Sequence, residues 1–93
     1  MNVKQAIDIA KHYFADVFAE EKVSNIGLEE VDFDEGRQVW FVTLGFSRPW
    51  DEPSNAFVAI AQGNSIPKRA FKTVRISDAS GKVLSIKNRE PHQ

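Results

Sequence analysis

The chain has 93 residues, of which 42% are hydrophobic and 27% are charged, and its formal net charge is −1 at pH 7. This composition is typical of one ordinary globular domain and argues against a disordered chain, which would be less hydrophobic and more highly charged. The absence of cysteine excludes disulfides, iron–sulfur clusters, thiolate catalysis and cysteine-ligated zinc within the chain.

The first residues carry charge too early for the apolar part of a secretion signal, and no apolar run approaches membrane-spanning length. We therefore expect a soluble, cytoplasmic protein that does not contact a membrane. Residues 1–36 carry three Lys against nine Asp or Glu, whereas residues 67–93 carry seven Lys or Arg against two acids. The simplest interpretation is that these two charged ends neutralise each other within the fold.

The N-terminal segment has the three- and four-residue apolar spacing of an amphipathic helix. Its apolar positions are Val3, Ala6, Ile7, Ala10, Tyr13, Phe14, Val17 and Phe18. No Pro or Gly interrupts this pattern, so it predicts one helix over about residues 3–21. Asn25 or Gly27 is expected to take the left-handed conformation that ends the helix.

Two strands joined by a tight turn are predicted next. Residues 28–33 alternate weakly, and residues 38–46 form the longest β-branched and aromatic run of the chain, which predicts a central strand. The turn at residues 34–36 ends in a glycine that can accept positive φ. Pairing Val31 and Phe33 with one side of the central strand would give the helix an apolar face formed by Trp40, Val42, Leu44 and Phe46.

The C-terminal part contains the clearest hairpin signal. Residues 71–78 and 82–87 flank the sequence Asp-Ala-Ser-Gly, in which Gly81 suits the left-handed position of a bulged loop. Alternation assigns one face to Val74, Ile76, Leu84 and Ile86, and the other to Phe71, Thr73, Arg75, Val83, Ser85 and Lys87. All 93 residues are thus predicted to form a single α+β domain, in which one helix packs on a four-stranded antiparallel sheet.

Residues 47–70 are longer than an ordinary connection between strands. Ser54 could cap a short helix that ends at Gly63, but residues 57–61 could equally form a short strand, and the pattern leaves both open. The sequence Pro-Trp-Asp-Glu-Pro at residues 49–53 is a stiff turn with an aromatic tip.

This long excursion suggests one possible ligand site. A small molecule or peptide could bind beneath it, with Trp50 as a lid and with an anionic group held by Arg48, Lys68 or Arg69. The alternative is that Trp50 has only a structural role, in which its ring packs on the sheet and anchors the excursion there.

Two stretches resemble the PepSY domain family. They are the helix sequence Ala-Ile-Asp-Ile-Ala at residues 6–10 and the hairpin sequence at residues 74–84, whose turn reads Asp-Ala-Ser-Gly-Lys-Val. The resemblance implies a helix on an antiparallel sheet and an inhibitory role toward peptidases or a sensing role at the cell envelope. The chain departs from that family by lacking an export signal and by the excursion at residues 47–70. The layout is also similar to cystatin-like proteins, but their Gln-x-Val-x-Gly loop is missing.

No catalytic, metal-binding or nucleotide-binding motif emerges. His12 and His92 are expected to lie apart, the five glycines are scattered, and the acids at residues 29–35 are interpreted as a solvated edge. We therefore predict a protein that is not an enzyme and needs no cofactor. Arg75 and Lys87 among apolar side chains could stack on single-stranded nucleic acid, but a pI of about 6.1 makes nucleic acid an unfavourable partner.

One helix can cover only one face of such a sheet. The opposite face is predicted to carry Val39, Phe41, Phe71, Arg75 and Val83, and it needs a second cover, either residues 47–70 or another molecule. An apolar surface that its own chain leaves uncovered usually marks an interface. The sequence therefore predicts a protein-interaction module that self-associates as a homodimer, or binds another protein, through this face. The alternative hypothesis is a small-molecule or peptide-binding domain, PepSY-like in its inhibitory or sensing role, that uses the site beneath residues 47–70.

Overall fold

The structure is a computed structural model that describes residues 1–49 and 69–89. It contains the helix α1 (Val3–Val17), a 3-10 helix (Ala19–Glu21) and the strands β1 (Ser24–Asp34), β2 (Val39–Ser47), β3 (Ala70–Ser77) and β4 (Val83–Asn88). The strands form one antiparallel sheet in the order β1-β2-β3-β4, and α1 packs on one face of it. The predicted α+β architecture is therefore confirmed. Within the described part of the chain, no helix is long and apolar enough to cross a membrane.

Helix α1 begins with a reciprocal cap and ends earlier than the sequence predicts. Asn2 Oδ1 accepts a hydrogen bond from the Gln5 backbone N–H at 2.9 Å, and Gln5 Oε1 accepts one from the Asn2 N–H at 2.8 Å. The α-helix stops at Val17, the chain tightens into the 3-10 helix, and Lys22 then takes the left-handed conformation with φ of 55°. Asn25 does have the expected left-handed φ, at 56°, but neither it nor Gly27 ends the helix, because both lie inside β1.

The first hairpin has the predicted register but a different turn. Val31 pairs with Val42 and Phe33 with Trp40, which places these side chains on the face that α1 covers. In the turn, however, the left-handed residue is Gln38, with φ of 56°, and Gly36 has no positive φ. The Gln38 side-chain amide donates a hydrogen bond of 2.7 Å to the Glu35 carbonyl and so holds this turn.

The core lies between α1 and the sheet. Two alanines of the helix let it approach the strands closely, and the Phe14 ring lies 4.6 Å from the Phe18 ring and 4.9 Å from the Phe46 ring, measured between centroids. The buried members of this cluster are Ala6, Ala10, Phe14, Val42, Leu44, Phe46, Val74 and Ile76.

The second hairpin contains an irregularity that corrects the predicted faces of β4. Arg75 pairs with Ser85, but the next residue along β3, Ile76, pairs with Val83, so one extra residue is inserted in β4. This shift turns Val83 toward the helix, where it packs against the core. The prediction that Val83 lies on the opposite face is therefore wrong, and Leu84, which is predicted to face the helix, is half exposed. The strict alternation behind both predictions fails at the bulge.

Asp78 joins the hairpin turn to the central strand. Its Oδ1 atom accepts a hydrogen bond of 2.9 Å from the Trp40 indole N–H and lies 3.1 Å from the Met1 amino group. Both contacts lower the pKa of Asp78 from its ordinary value of 3.8, and the hydrogen bond from Trp40 has the larger effect.

A carboxyl group whose pKa is lower in the folded than in the unfolded state stabilises the fold above its unfolded pKa, and that stabilisation is lost as the pH falls. We therefore expect Asp78→Asn to lower the thermal midpoint at pH 7, and we expect the gap to the parent protein to shrink as the pH falls below 3.8. Glu35→Gln, at an exposed turn residue, is the control and should leave the midpoint unchanged at pH 7. A gap for Asp78→Asn that is the same at both ends of the pH range would contradict this role.

Candidate interaction surface

The face of the sheet opposite α1 is called the open face, because no helix or strand among residues 1–49 and 69–89 packs on it. It contains a cleft of about 730 Å³. Its centre is formed by side chains of the two middle strands. Phe41 pairs with Arg75, and the Thr43 hydroxyl lies 3.0 Å from the Thr73 hydroxyl, so the two threonines hydrogen-bond across the strands. Phe41 is half buried, which leaves part of an aromatic ring facing the cleft.

One side of the cleft is acidic. Glu30, Asp32 and Asp34 recur at every second residue of β1 and line the cleft together, and they are called the acidic wall. Alternate residues of a strand point to the same face, which is why the three carboxylates share it. Asp34 is tied to its own turn, since its carboxylate accepts a hydrogen bond from the Arg37 N–H and lies 3.9 Å from the Arg37 side chain.

The other side of the cleft is basic. Arg75, Lys87 and Arg89 line it from β3, β4 and the residue after β4, and they are called the basic wall. The Arg75 guanidinium lies 5.8 Å from the centre of the Phe41 ring, within the range of a cation–π contact. Arg89 spans the face to reach Glu30 on the acidic wall, with 3.7 Å between nitrogen and oxygen. One end of the cleft is therefore bridged by an ion pair.

The open face also carries charged side chains of both signs that form no ion pair with another described residue. Among residues 1–49 and 69–89, Asp32, Arg75 and Lys87 form no ion pair. The face thus combines an aromatic centre with an available carboxylate on one side and available cations on the other. These features suit a partner that presents the same charges in reversed order.

The structure sorts the predicted interface residues into three groups. Phe41 and Arg75 meet in the cleft. Val39 and Phe71 occupy the same face beyond the residues that line the cleft, with Val39 6% and Phe71 37% exposed. Val83 is not part of the face, because the bulge in β4 turns it toward the helix.

The predicted ligand residues of the excursion are divided between the two faces. Arg48 lies with its guanidinium 5.9 Å from the centre of the Phe46 ring, which belongs to the core on the helix side. Arg69 reaches over the open face instead, where its guanidinium donates a hydrogen bond of 2.9 Å to the Asn25 carbonyl and lies 3.7 Å from the Glu29 carboxylate. The two arginines therefore lie on different faces of the sheet. Trp50 and Lys68 lie outside the described residues.

Gly45 makes the position of Arg69 possible. A Cβ atom at Gly45 would stand 2.6 Å from Glu29 Oε1 and 2.9 Å from Arg69 Nη2, both closer than real Cβ contacts allow. The ion pair thus lies directly on the backbone of β2 and covers the open face beyond Thr43. This contact gives Arg69 a structural role at the margin of the cleft.

The acidic wall is the part of the site that sequence reasoning missed. The sequence favours a solvated edge for the carboxylates of β1, although their spacing at residues 30, 32 and 34 already places them on one face of any strand. That spacing was the available signal. The basic wall is recognisable along the chain only as a possible nucleic-acid surface, because the residue pairing that sets it opposite the acids is not visible there.

Among the described residues, no group of three or more His, Asp or Glu side chains is placed to hold a metal ion. No protein-family model, curated protein or solved structure matches the chain. Functional inference therefore rests on the fold and the cleft.

Proposed function

We propose that this chain is a non-enzymatic protein-interaction module that self-associates as a homodimer through the open face of its sheet. The observation that carries the proposal is the pattern of that face, in which an aromatic centre separates an acidic wall from a basic wall. Interfaces are favoured where aromatic and Arg side chains lie at the centre of a patch and complementary charges surround them.

The charges favour a second copy over an unrelated ligand. A partner for this face must offer cations to Asp32 on β1 and anions to Arg75 on β3 and Lys87 on β4, at the separations of those strands. A second copy of the chain supplies both signs at those same separations, because its own walls have the identical spacing. Isologous dimers are the commonest symmetric assemblies of soluble proteins, and each contact in them is made twice.

The proposal is tested by the mass of the protein in solution as a function of salt. Sedimentation equilibrium at micromolar concentration should give a mass twice that of the 10.5 kDa chain at about 0.01 M salt, where charges act over about 30 Å. At about 1 M salt, where that distance falls to about 3 Å, the dimer should be weaker and the measured mass should fall toward that of one chain. A chain that is monomeric at both salt concentrations would overturn the proposal.

A further inference from the structure

We infer that the two copies stack with their two-fold axis parallel to the strands, between β2 and β3, so that the acidic wall of each copy lies over the basic wall of the other. This inference rests on the proposed self-association and adds which strands and side chains meet. Sheets that pack face to face usually keep their strand directions within about 30° of each other. A two-fold axis that lies midway between the two sheets can then run either perpendicular to the strands or parallel to them.

An axis perpendicular to the strands would place each strand over the same strand of the partner. The carboxylates of β1 would then face the partner's carboxylates, and Arg75 and Lys87 would lie closest to cations. Like charges brought together at an interface oppose association, so this orientation is disfavoured by the unpaired groups of both walls.

An axis parallel to the strands reverses the strand order in the second copy. Strand β1 then lies over the partner's β4, and β2 lies over the partner's β3. The register of the sheet determines which residues meet. Residues that pair across neighbouring strands lie at the same height along the axis, and such a row of residues is called a level. Glu30, Thr43, Thr73 and Lys87 form one such level, and Asp32, Phe41, Arg75 and Ser85 form the next.

The expected contacts follow from these two levels. Glu30 faces the partner's Lys87, and Phe41 faces the partner's Arg75, with each contact repeated by symmetry. Within one chain the Arg75 guanidinium already lies over the Phe41 ring. The arrangement therefore sandwiches each ring between two guanidinium groups, which in turn approach carboxylates of the facing acidic wall.

The cysteine-free sequence permits a direct test. Facing sheets lie about 10 Å apart, beyond the roughly 7 Å Cα separation that a disulfide tolerates, so a short bis-maleimide is the suitable cross-linker. Glu30→Cys chains and isotope-labelled Lys87→Cys chains are mixed in equal amounts and treated with it. We expect the mixed cross-link to form at least about tenfold faster than either self cross-link, because β1 lies about 14 Å to the side of the partner's β1 in this arrangement.

Two outcomes separate the orientation from self-association itself. If each variant cross-links to itself faster than to the other while the parent protein is a dimer, the inferred axis is wrong and the proposed function stands. If the parent protein is monomeric, both are overturned. Lys4→Cys mixed with Lys87→Cys measures random collision, since Lys4 is an exposed residue of α1. A mixed cross-link of Glu30→Cys with Lys87→Cys that is no faster than this control would also overturn the inferred axis.

A second pair keeps the test valid if loss of the Glu30 carboxylate weakens the dimer. Asp32→Cys replaces Glu30→Cys in that case, since Asp32 lies on the neighbouring level of the same wall and has no ion pair among the described residues. Sedimentation of each variant confirms that it associates before the cross-linker is added. The mixed cross-link should again dominate, and dominance of self cross-links in this pair would overturn the inferred axis.

Discussion

The Phe14→Ala variant is expected to lose about 3–5 kcal/mol of unfolding free energy, a large share of the roughly 5–15 kcal/mol that stabilises a typical domain. Phe14 is completely buried, and its ring contacts those of Phe18 and Phe46. Truncation removes both ring contacts and leaves a cavity between α1 and the sheet. Urea unfolding followed by tryptophan fluorescence measures the loss at a fixed protein concentration, which is required because self-association contributes to apparent stability.

The matched control is Val17→Ala on the same helix. Val17 is 50% exposed, and exposed substitutions usually change the unfolding free energy by no more than about 0.5 kcal/mol. A loss for Phe14→Ala as small as that of the control would mean that α1 does not pack on the sheet as described.

The second large effect is expected in the association constant. In the double variant Arg75→Glu/Lys87→Glu, each basic wall presents carboxylates to the partner's acidic wall, and the contact of Arg75 with Phe41 is lost. We expect the dimer dissociation constant to rise at least about 100-fold, which corresponds to about 2.8 kcal/mol. Sedimentation equilibrium at low salt measures it, and circular dichroism verifies that the sheet is retained.

A change in net charge alone could also weaken a dimer, so the control carries the same change elsewhere. Lys4→Glu/Lys82→Glu alters the net charge by the same amount at two exposed residues that do not line the cleft. We expect its dissociation constant to stay close to that of the parent protein. Equal weakening by both double variants would show that overall charge, and not the open face, governs association.

Much of the fold could be predicted from the sequence because its apolar periodicities are clean. The helical spacing around Phe14 and the alternation of Trp40, Val42, Leu44 and Phe46 leave one register that buries both sets, and the structure has that register. The turn at Gly81 was also predictable, and Gly81 has the expected positive φ of 71°.

The deviations arise where one residue changes the local geometry without a strong sequence signal. Lys22 and Gln38 take left-handed conformations, although such conformations are uncommon for residues other than glycine, asparagine and aspartate. The extra residue in β4 moves Val83 to the other face, and alternation by twos cannot reveal a bulge.

The candidate site was only half predictable for a related reason. Phe41 and Arg75 can be assigned to one face from the sequence, since each lies on a regular strand. The opposition of the acidic and basic walls depends on the order of the four strands, which sets the carboxylates of β1 opposite the cations on and after β3 and β4. That relation between Asp32 and Lys87 becomes visible only once the sheet is assembled.

The most direct test of complementary walls is to mix two chains whose walls have been made alike in charge. Arg75→Glu/Lys87→Glu has an open face with acids on both sides, and Glu30→Lys/Asp32→Lys has one with cations on both sides. Sedimentation equilibrium at low salt should find each variant monomeric alone and the equimolar mixture dimeric, at twice the 10.5 kDa mass of the chain. A mixture that remains monomeric, while the parent protein is a dimer, would contradict the central claim that complementary walls of the open face hold two copies together.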